Sequence, residues 1–167
     1  MVTLQENKKA LIGFGILTAI MYVIVMLIIN PMIDGKTGFE VIQLQLSFTT
    51  ENANVIIEGW GETGQQNFLR YIYTDYLYAA AYSFFLAVLY LNKLLKNVIE
   101  IKGRHFIFLI LPFIAGMFDM LENTIEIFFI KNPDDFPELL FSIHSILASL
   151  KWLALPVFLY VLIKRVK

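Results

Sequence analysis

The sequence predicts an all-α membrane protein: a four-transmembrane-helix up-and-down bundle with a structured extracytoplasmic loop between its first and second helices. Three observations carry that prediction. The 167 residues are 58% hydrophobic and only 16% charged, and the mean hydropathy is +0.68, more apolar than a soluble core of this length requires. Four apolar runs, at 10–29, 71–95, 106–130 and 139–163, are long enough to cross a bilayer, which takes about 20 residues of helix. The charges, finally, alternate in sign from one connection to the next. The four runs fill more than half the chain, so a single integral membrane domain over 1–167 is expected.

The first run follows Lys8 and Lys9, which resemble the basic region of a signal peptide. The apolar stretch is longer than the about 7–15 residues of a signal peptide, and Asn30-Pro31 follows it in place of a small-x-small cleavage site, so a retained helix is expected. The connection 30–70 exceeds the about 12–15 residues of a plain loop and should carry structure of its own. In its first half Ile42, Leu44, Leu46 and Phe48 alternate with Gln43, Gln45 and Ser47, which predicts a strand or an extended segment on the membrane surface. Thr49 or Thr50 then caps a short helix over 51–58. Gly59-Trp60-Gly61 ends that helix, Gly64 breaks the chain again, and Trp60 is placed at headgroup level, where indole is favoured. The remaining connections are short, with Gly103 in one and Pro133 and Pro137 in the other, as suits antiparallel neighbours. Gly15 with Ala19, Ser145 with Ser149, and Ala79-Ala80-Ala81 mark places where helices can approach closely. There is no internal repeat and no low-complexity tract.

Orientation follows from the basic residues. Lys8 and Lys9 precede the first run; Lys93, Lys96, Lys102 and Arg104 lie between the second and third; Lys164, Arg165 and Lys167 follow the fourth. The other two connections hold only Lys36, Arg70 and Lys131 against Asp34, Glu40, Glu51, Glu58, Glu62, Asp134, Asp135 and Glu138. The positive-inside rule therefore places both termini in the cytoplasm of a multi-pass cell-membrane protein. Nothing in the charge pattern suggests nucleic acid. The absence of cysteine excludes disulfides, thiol redox chemistry and thiolate metal sites.

The third run carries three acids, Asp119, Glu122 and Glu126, with Asn123 beside them. At 100° per residue these fall within about 100° of helical arc and form one polar stripe. Ionised carboxylates in a bilayer cost several kcal/mol each unless partnered. The fourth run places Lys151 level with Asp119, and His144 on the same face about 10 Å nearer the outside. The second run places Asp75, Tyr78, Ala79 and Tyr82 on one face, extended by Tyr71, with Asp75 near the depth of Glu126 and His144. The first run offers only Thr18 and Tyr22 and is assigned to packing. Stripes matched in depth predict a polar cavity in the outer half of the bundle. Asp119 and Lys151 form its floor, and Asp75, Glu122, Glu126, His144 and the tyrosines its walls.

Each group also has a plainer reading. Asp119–Lys151 serves equally as a structural ion pair fixing helix register. Glu126 can reach the outer headgroups, Asp75 can frame a helix end, His144 can be a hydrogen-bonding packing residue, and the tyrosines can be core. Glu122 is the hardest to read as packing, because it is deep and Lys151 offsets only one charge.

No cofactor and no metal are expected. A di-iron or di-manganese centre needs paired Glu-x-x-His motifs, and only His144 is available at depth, since His105 lies at the inner surface. His-Glu-x-x-His, Gly-x-Ser-x-Gly and P-loop motifs are absent. Acid–base chemistry needs two titratable groups held at different proton affinities, which Glu122 and His144 could supply, with Asp119–Lys151 as the supporting pair. Asp75, Tyr78, Tyr82, Asn123 and Glu126 are the ligand-binding candidates.

Asp119-x-x-Glu122-x-x-x-Glu126 weakly resembles the acid-rich motif of membrane prenyl transferases, which hold diphosphate through Mg²⁺, although their second acidic motif is missing here. Leu46-Ser47-Phe48-Thr49, Trp60-Gly61, Asp75 with Tyr82, Asp119-x-x-Glu122-Asn123 and Lys151-Trp152 resemble a group of uncharacterised small four-helix integral membrane proteins. That resemblance implies the fold and no activity. The large outer loop is similar in layout to that of claudin-like tetraspan proteins, without their paired loop cysteines. The leading expectation is a protein that binds a membrane lipid or isoprenoid in that outer cavity, with acid–base conversion of it left open. Two others stand beside it: a non-catalytic scaffold working as a homo-oligomer or with a partner membrane protein, and a proton- or cation-coupled conductor.

Overall fold

The chain folds as helices that meet in the order in which they occur. The computed structural model describes residues 4–32, 39–97, 103–132 and 135–164. Asp34, Lys36, Lys102, Pro133, Asp134, Arg165 and Lys167 lie outside the described residues. The elements are α1 (Leu4–Met32), α2 (Phe39–Gln45), α3 (Thr50–Lys96), α4 (Arg104–Lys131) and α5 (Glu138–Lys164). Among the described residues there is no strand. The four long helices are long and apolar enough to cross a membrane.

Neighbouring long helices run antiparallel. Phe14 stacks on Phe84 while Tyr22 meets Tyr78, so α1 ascends as α3 descends. Tyr76 pairs with Thr124 and Tyr90 with His105, giving the same sense between α3 and α4. Glu126 meets His144 and Asp119 meets Lys151 between α4 and α5. The packing is sequential: α1 rests on α3, α3 on α4, α4 on α5, and α1 makes no backbone approach to α5.

The surface differs from that of a water-soluble bundle: it is apolar, and ionisable groups are turned into an otherwise apolar core. Ile12, Leu27, Leu77, Ile107, Leu153 and Ile163 are each more than 60% exposed, whereas Asp75, Asp119, Glu122, Glu126 and Lys151 are buried. An apolar outer surface with ionisable side chains facing inward is what a hydrocarbon solvent selects.

Two small residues set the α3–α4 approach. A Cβ on Gly116 would lie 2.2 Å from Ser83 Oγ and 3.2 Å from the Ala79 carbonyl. The Ser83 hydroxyl lies 2.7 Å from the Ala79 carbonyl oxygen and 3.0 Å from that of Pro112, at the position where proline interrupts α4.

The connection between the first two spans differs from its sequence reading. The expected strand is the helix α2, because Val41, Leu44 and Gln45 are the buried positions and their spacing of three and four is helical. Val41 lies outside the alternating set, so the alternation registered only part of the buried face. Thr49 does cap the next helix, its side chain accepting from the Asn52 N–H at 3.3 Å. That helix runs past 58 and breaks at Gly61, within the expected Gly59-Trp60-Gly61, where φ 61° and ψ 179° require glycine; helix resumes directly after it and continues into the second span. Gly64 is helical and buried, so it is no break. The Trp60 ring is buried against Phe68, with centroids 4.8 Å apart, and its indole N–H donates to Glu40 Oε2 at 2.7 Å. It is a core residue, not a free-standing headgroup anchor.

Polar contacts tie this region to α5. Phe48 has φ 58°; its N–H donates to Ser145 Oγ at 3.1 Å, and its carbonyl accepts from Ser142 Oγ at 3.1 Å. The Thr50 N–H donates to Glu138 Oε2 at 3.1 Å, and the Thr50 hydroxyl bonds to the same oxygen. Trp152 Nε1 donates to Gln45 Oε1 at 3.1 Å.

Candidate functional site

The buried polar groups of α3, α4 and α5 meet as the matched stripes require, but they form two compartments instead of one. The first is a cavity of about 480 Å³ between α1, α3 and α5, closed at one end by α2. Its charged lining is Asp75, Asp119 and Lys151, and Tyr22, Tyr71, Tyr78, Tyr82 and Trp152 add aromatic faces. Asp119 is held at both oxygens: Lys151 Nζ donates to Oδ1 at 2.8 Å and the Tyr82 hydroxyl to Oδ2 at 3.0 Å. Asp75 accepts from Asn123 Nδ2 at 3.0 Å. The tyrosines pack as a stair, Tyr22 against Tyr78 at 6.3 Å and Tyr78 against Tyr82 at 5.5 Å between centroids. Thr18 also lines the cavity, and its buried hydroxyl oxygen has no hydrogen-bond partner.

The charged and amide groups of the cavity lie towards α2 and in its middle. Gln45, Tyr71 and Asp75 lie near the α2 end among the apolar Val25, Met26, Val41 and Ile42, Asp119 and Lys151 lie in the middle, and beyond them Phe85, Leu86, Leu155 and Leu159 bring no charged or amide group. Because α1 and α5 do not meet, the apolar part lies in a gap between two helices.

The second compartment lies behind Lys151. Glu122, Glu126 and His144 are each 0% exposed and contribute nothing to the cavity lining. This corrects their placement in its walls. Both acids occupy the α4 face that packs on α5, where Ala148 is also fully buried. His144 Nε2 lies 3.0 Å from Glu126 Oε1, and its Nδ1 lies 3.4 Å from Ser145 Oγ. Lys151 Nζ lies 2.9 Å from Glu122 Oε2, an ion pair without hydrogen-bond alignment. Glu122 Oε1, Glu126 Oε2 and Asn123 Oδ1 are buried without hydrogen-bond partners. Lys151 is thus the side chain that belongs to both compartments.

Every residue singled out from the sequence lies in one compartment or on the wall between them. Tyr78 is half-buried, and Asn123 is fully buried beneath Asp75. Thr18 and Tyr22, assigned to packing, line the cavity. Gln45 and Trp152 were missed as site residues. A glutamine inside an otherwise apolar face of α2 was the available signal, obscured by reading that face as a strand. Ser145 was read as a small packing residue, yet it joins the His144 ring to the Phe48 backbone.

Known proteins add no name to this geometry: no family model, curated protein or solved structure matches the chain.

Proposed function

We propose that this protein binds a membrane amphiphile, a lipid or isoprenoid with a polar head and an apolar chain, in the cavity between α1, α3 and α5. The observation that carries the reading is the polarity gradient along that cavity, which runs from Asp75, Asp119 and Lys151 to an apolar gap between two helices. Its volume of about 480 Å³ falls within the roughly 300–1,000 Å³ of small-molecule sites. The head contacts Lys151, Asp75 and the tyrosine hydroxyls, with the Thr18 hydroxyl as a further partner. The chain lies along Phe85, Leu86, Leu155 and Leu159 and leaves between α1 and α5 into the bilayer. A scaffold held together by packing alone leaves such a cavity without a purpose.

In this reading the charge pattern puts both termini in the cytoplasm, with α2 and the first turns of α3 on the outer side. The head then lies towards the outer leaflet, while the apolar end passes the bilayer centre, so the cavity is not confined to the outer half. Binding is better supported than conversion, because Glu122 and His144 do not reach the cavity and general acid–base catalysis needs contact within hydrogen-bond range.

The test is the lipid content of the purified protein by mass spectrometry, beside Leu155→Trp, in which indole fills the apolar end. The expected result is one lipid class enriched over bulk membrane in the wild type and reduced at least about tenfold in the variant. A wild type carrying only bulk lipid composition would overturn the reading.

A further inference from the structure

We infer that Glu122, Glu126 and His144 form a binding site for a single divalent transition-metal ion of the Zn²⁺, Mn²⁺ or Fe²⁺ kind, separate from the cavity and wedged between α4 and α5. One donor atom from each of the three residues lies within 4.8 Å of the other two. Ligands about 2.1 Å from one tetrahedral ion stand about 3.4 Å apart, so the widest donor pair closes by as much as about 1.4 Å on metal uptake. Two carboxylates and one imidazole form the mixed oxygen–nitrogen set that such ions accept, and calcium or magnesium would call for more oxygens.

Three observations independent of that clustering point the same way. The first is the orphaned acceptors: Glu122 Oε1 and Glu126 Oε2 are buried without partners. A buried carboxylate oxygen left unpaired is costly, and a cation removes that cost. The second is the orientation of the ring. His144 Nδ1 is 3.4 Å from Ser145 Oγ, which also accepts from the Phe48 N–H. Fixing Nδ1 on an outer partner leaves Nε2 as the ligand nitrogen, the usual arrangement of a metal-bound histidine. The third is charge. The Lys151 ammonium is 2.8 Å from Asp119 and 2.9 Å from Glu122, so its single charge offsets one carboxylate and leaves the pair Glu122 and Glu126 to be balanced by protons or by a cation. One dication against Glu122 and Glu126 balances that pair.

The 3.0 Å contact between His144 Nε2 and Glu126 Oε1 requires one proton between the two atoms. Metal uptake displaces that proton to solvent and puts the ion in its place. Lys151 stands on the Oε2 side of Glu122 and leaves Oε1 for the ion. Asp75 and Asp119 take no part; they belong to the cavity.

The test is the metal content of the full chain, produced with a histidine-free affinity tag in zinc-, manganese- and iron-supplemented medium. It is purified in detergent and read by inductively coupled plasma mass spectrometry. Wild type should retain about one ion per chain. Glu126→Gln, close to isosteric, should retain less than about a tenth of that, and the cavity variant Asp75→Asn should keep the wild-type ratio. Incubation of the chelated wild type with Co²⁺ should give the visible d–d absorption of a protein-bound ion and raise its melting temperature. If Glu126→Gln does not fold, the wild-type metal content and the Co²⁺ spectrum decide alone. A folded wild type that is metal-free as isolated and silent to Co²⁺ would overturn the inference and assign the cluster to proton binding only. Equal metal in Glu126→Gln and wild type would overturn it as well.

Discussion

At the scale of single residues, the interior is organised by one lysine. Lys151 is 5% exposed and touches two acids from α4. Removing one partner of a buried charge pair leaves the other charge uncompensated, which typically costs about 3–5 kcal/mol. Lys151→Met should therefore lower the melting temperature in detergent sharply, whereas Lys151→Arg should lose less. An unchanged melting temperature for Lys151→Met would show that the acids do not depend on the ammonium. The pairing of Asp119 with Lys151 was legible in the sequence, because two residues at equal depth on facing helices leave each other as the obvious partner. The division of the acids between cavity and sealed cluster was not. Helical periodicity gives a side chain its direction to within a wide arc, and here that arc spans both the α3 and α5 sides of α4.

At the scale of elements, close approach and helix propensity can be separated with two glycines. A Cβ on Gly116 would stand 2.2 Å from Ser83 Oγ, closer than any Cβ tolerates, and in a tight 3.2 Å contact with the Ala79 carbonyl, whereas a Cβ on Gly13 would meet nothing within 4 Å. Gly116→Ala should destabilise by about 1–3 kcal/mol by forcing α3 and α4 apart. Gly13→Ala should instead be neutral or stabilise by up to about 1 kcal/mol through helix propensity. Thermal unfolding of the two variants beside wild type checks both signs, and a stable Gly116→Ala would refute the tight approach. The existence of all four long helices could be read from the apolar runs. α2 could not, because the apolar–polar alternation of 42–48 follows a strand pattern, whereas the helical spacing of the buried Val41, Leu44 and Gln45 includes a glutamine and shows only in the structure. Tertiary contacts decided it: the Gln45–Trp152 bond and the serines that hold Phe48 are long-range and have no local signature.

At the scale of the whole molecule, the four long helices form a chain of neighbours, and α1 stands at one end of it, held by a single long helix. It packs on α3 alone and lines one side of the cavity. Its separation from α5 should vary more than any distance between helices in contact. Because the chain has no cysteine, spin labels can be placed without background. A pair at Leu27 and Val157, both exposed, should give a broader distance distribution by pulsed electron paramagnetic resonance than a pair at Phe128 and Ile143 across the α4–α5 contact. Equal widths would argue for a rigid cleft. This gap was not visible in the sequence, because four amphipathic spans do not specify whether the first and last of them close a ring. The membrane class was visible, since composition and run length alone demand it.

An ammonium group has three N–H bonds. In Lys151 one is directed to Asp119, and Glu122 draws the group electrostatically towards the sealed cluster. On the proposed reading, a polar head arriving in the cavity competes with Glu122 for the same cation, and the stem of a single side chain would work as a balance arm between lipid and core. Loading one pan must lighten the other. The occupancy of the cavity is in this way reported to a cluster that the occupant never touches, and the sign of the message is fixed: a more anionic guest leaves Glu122 less screened.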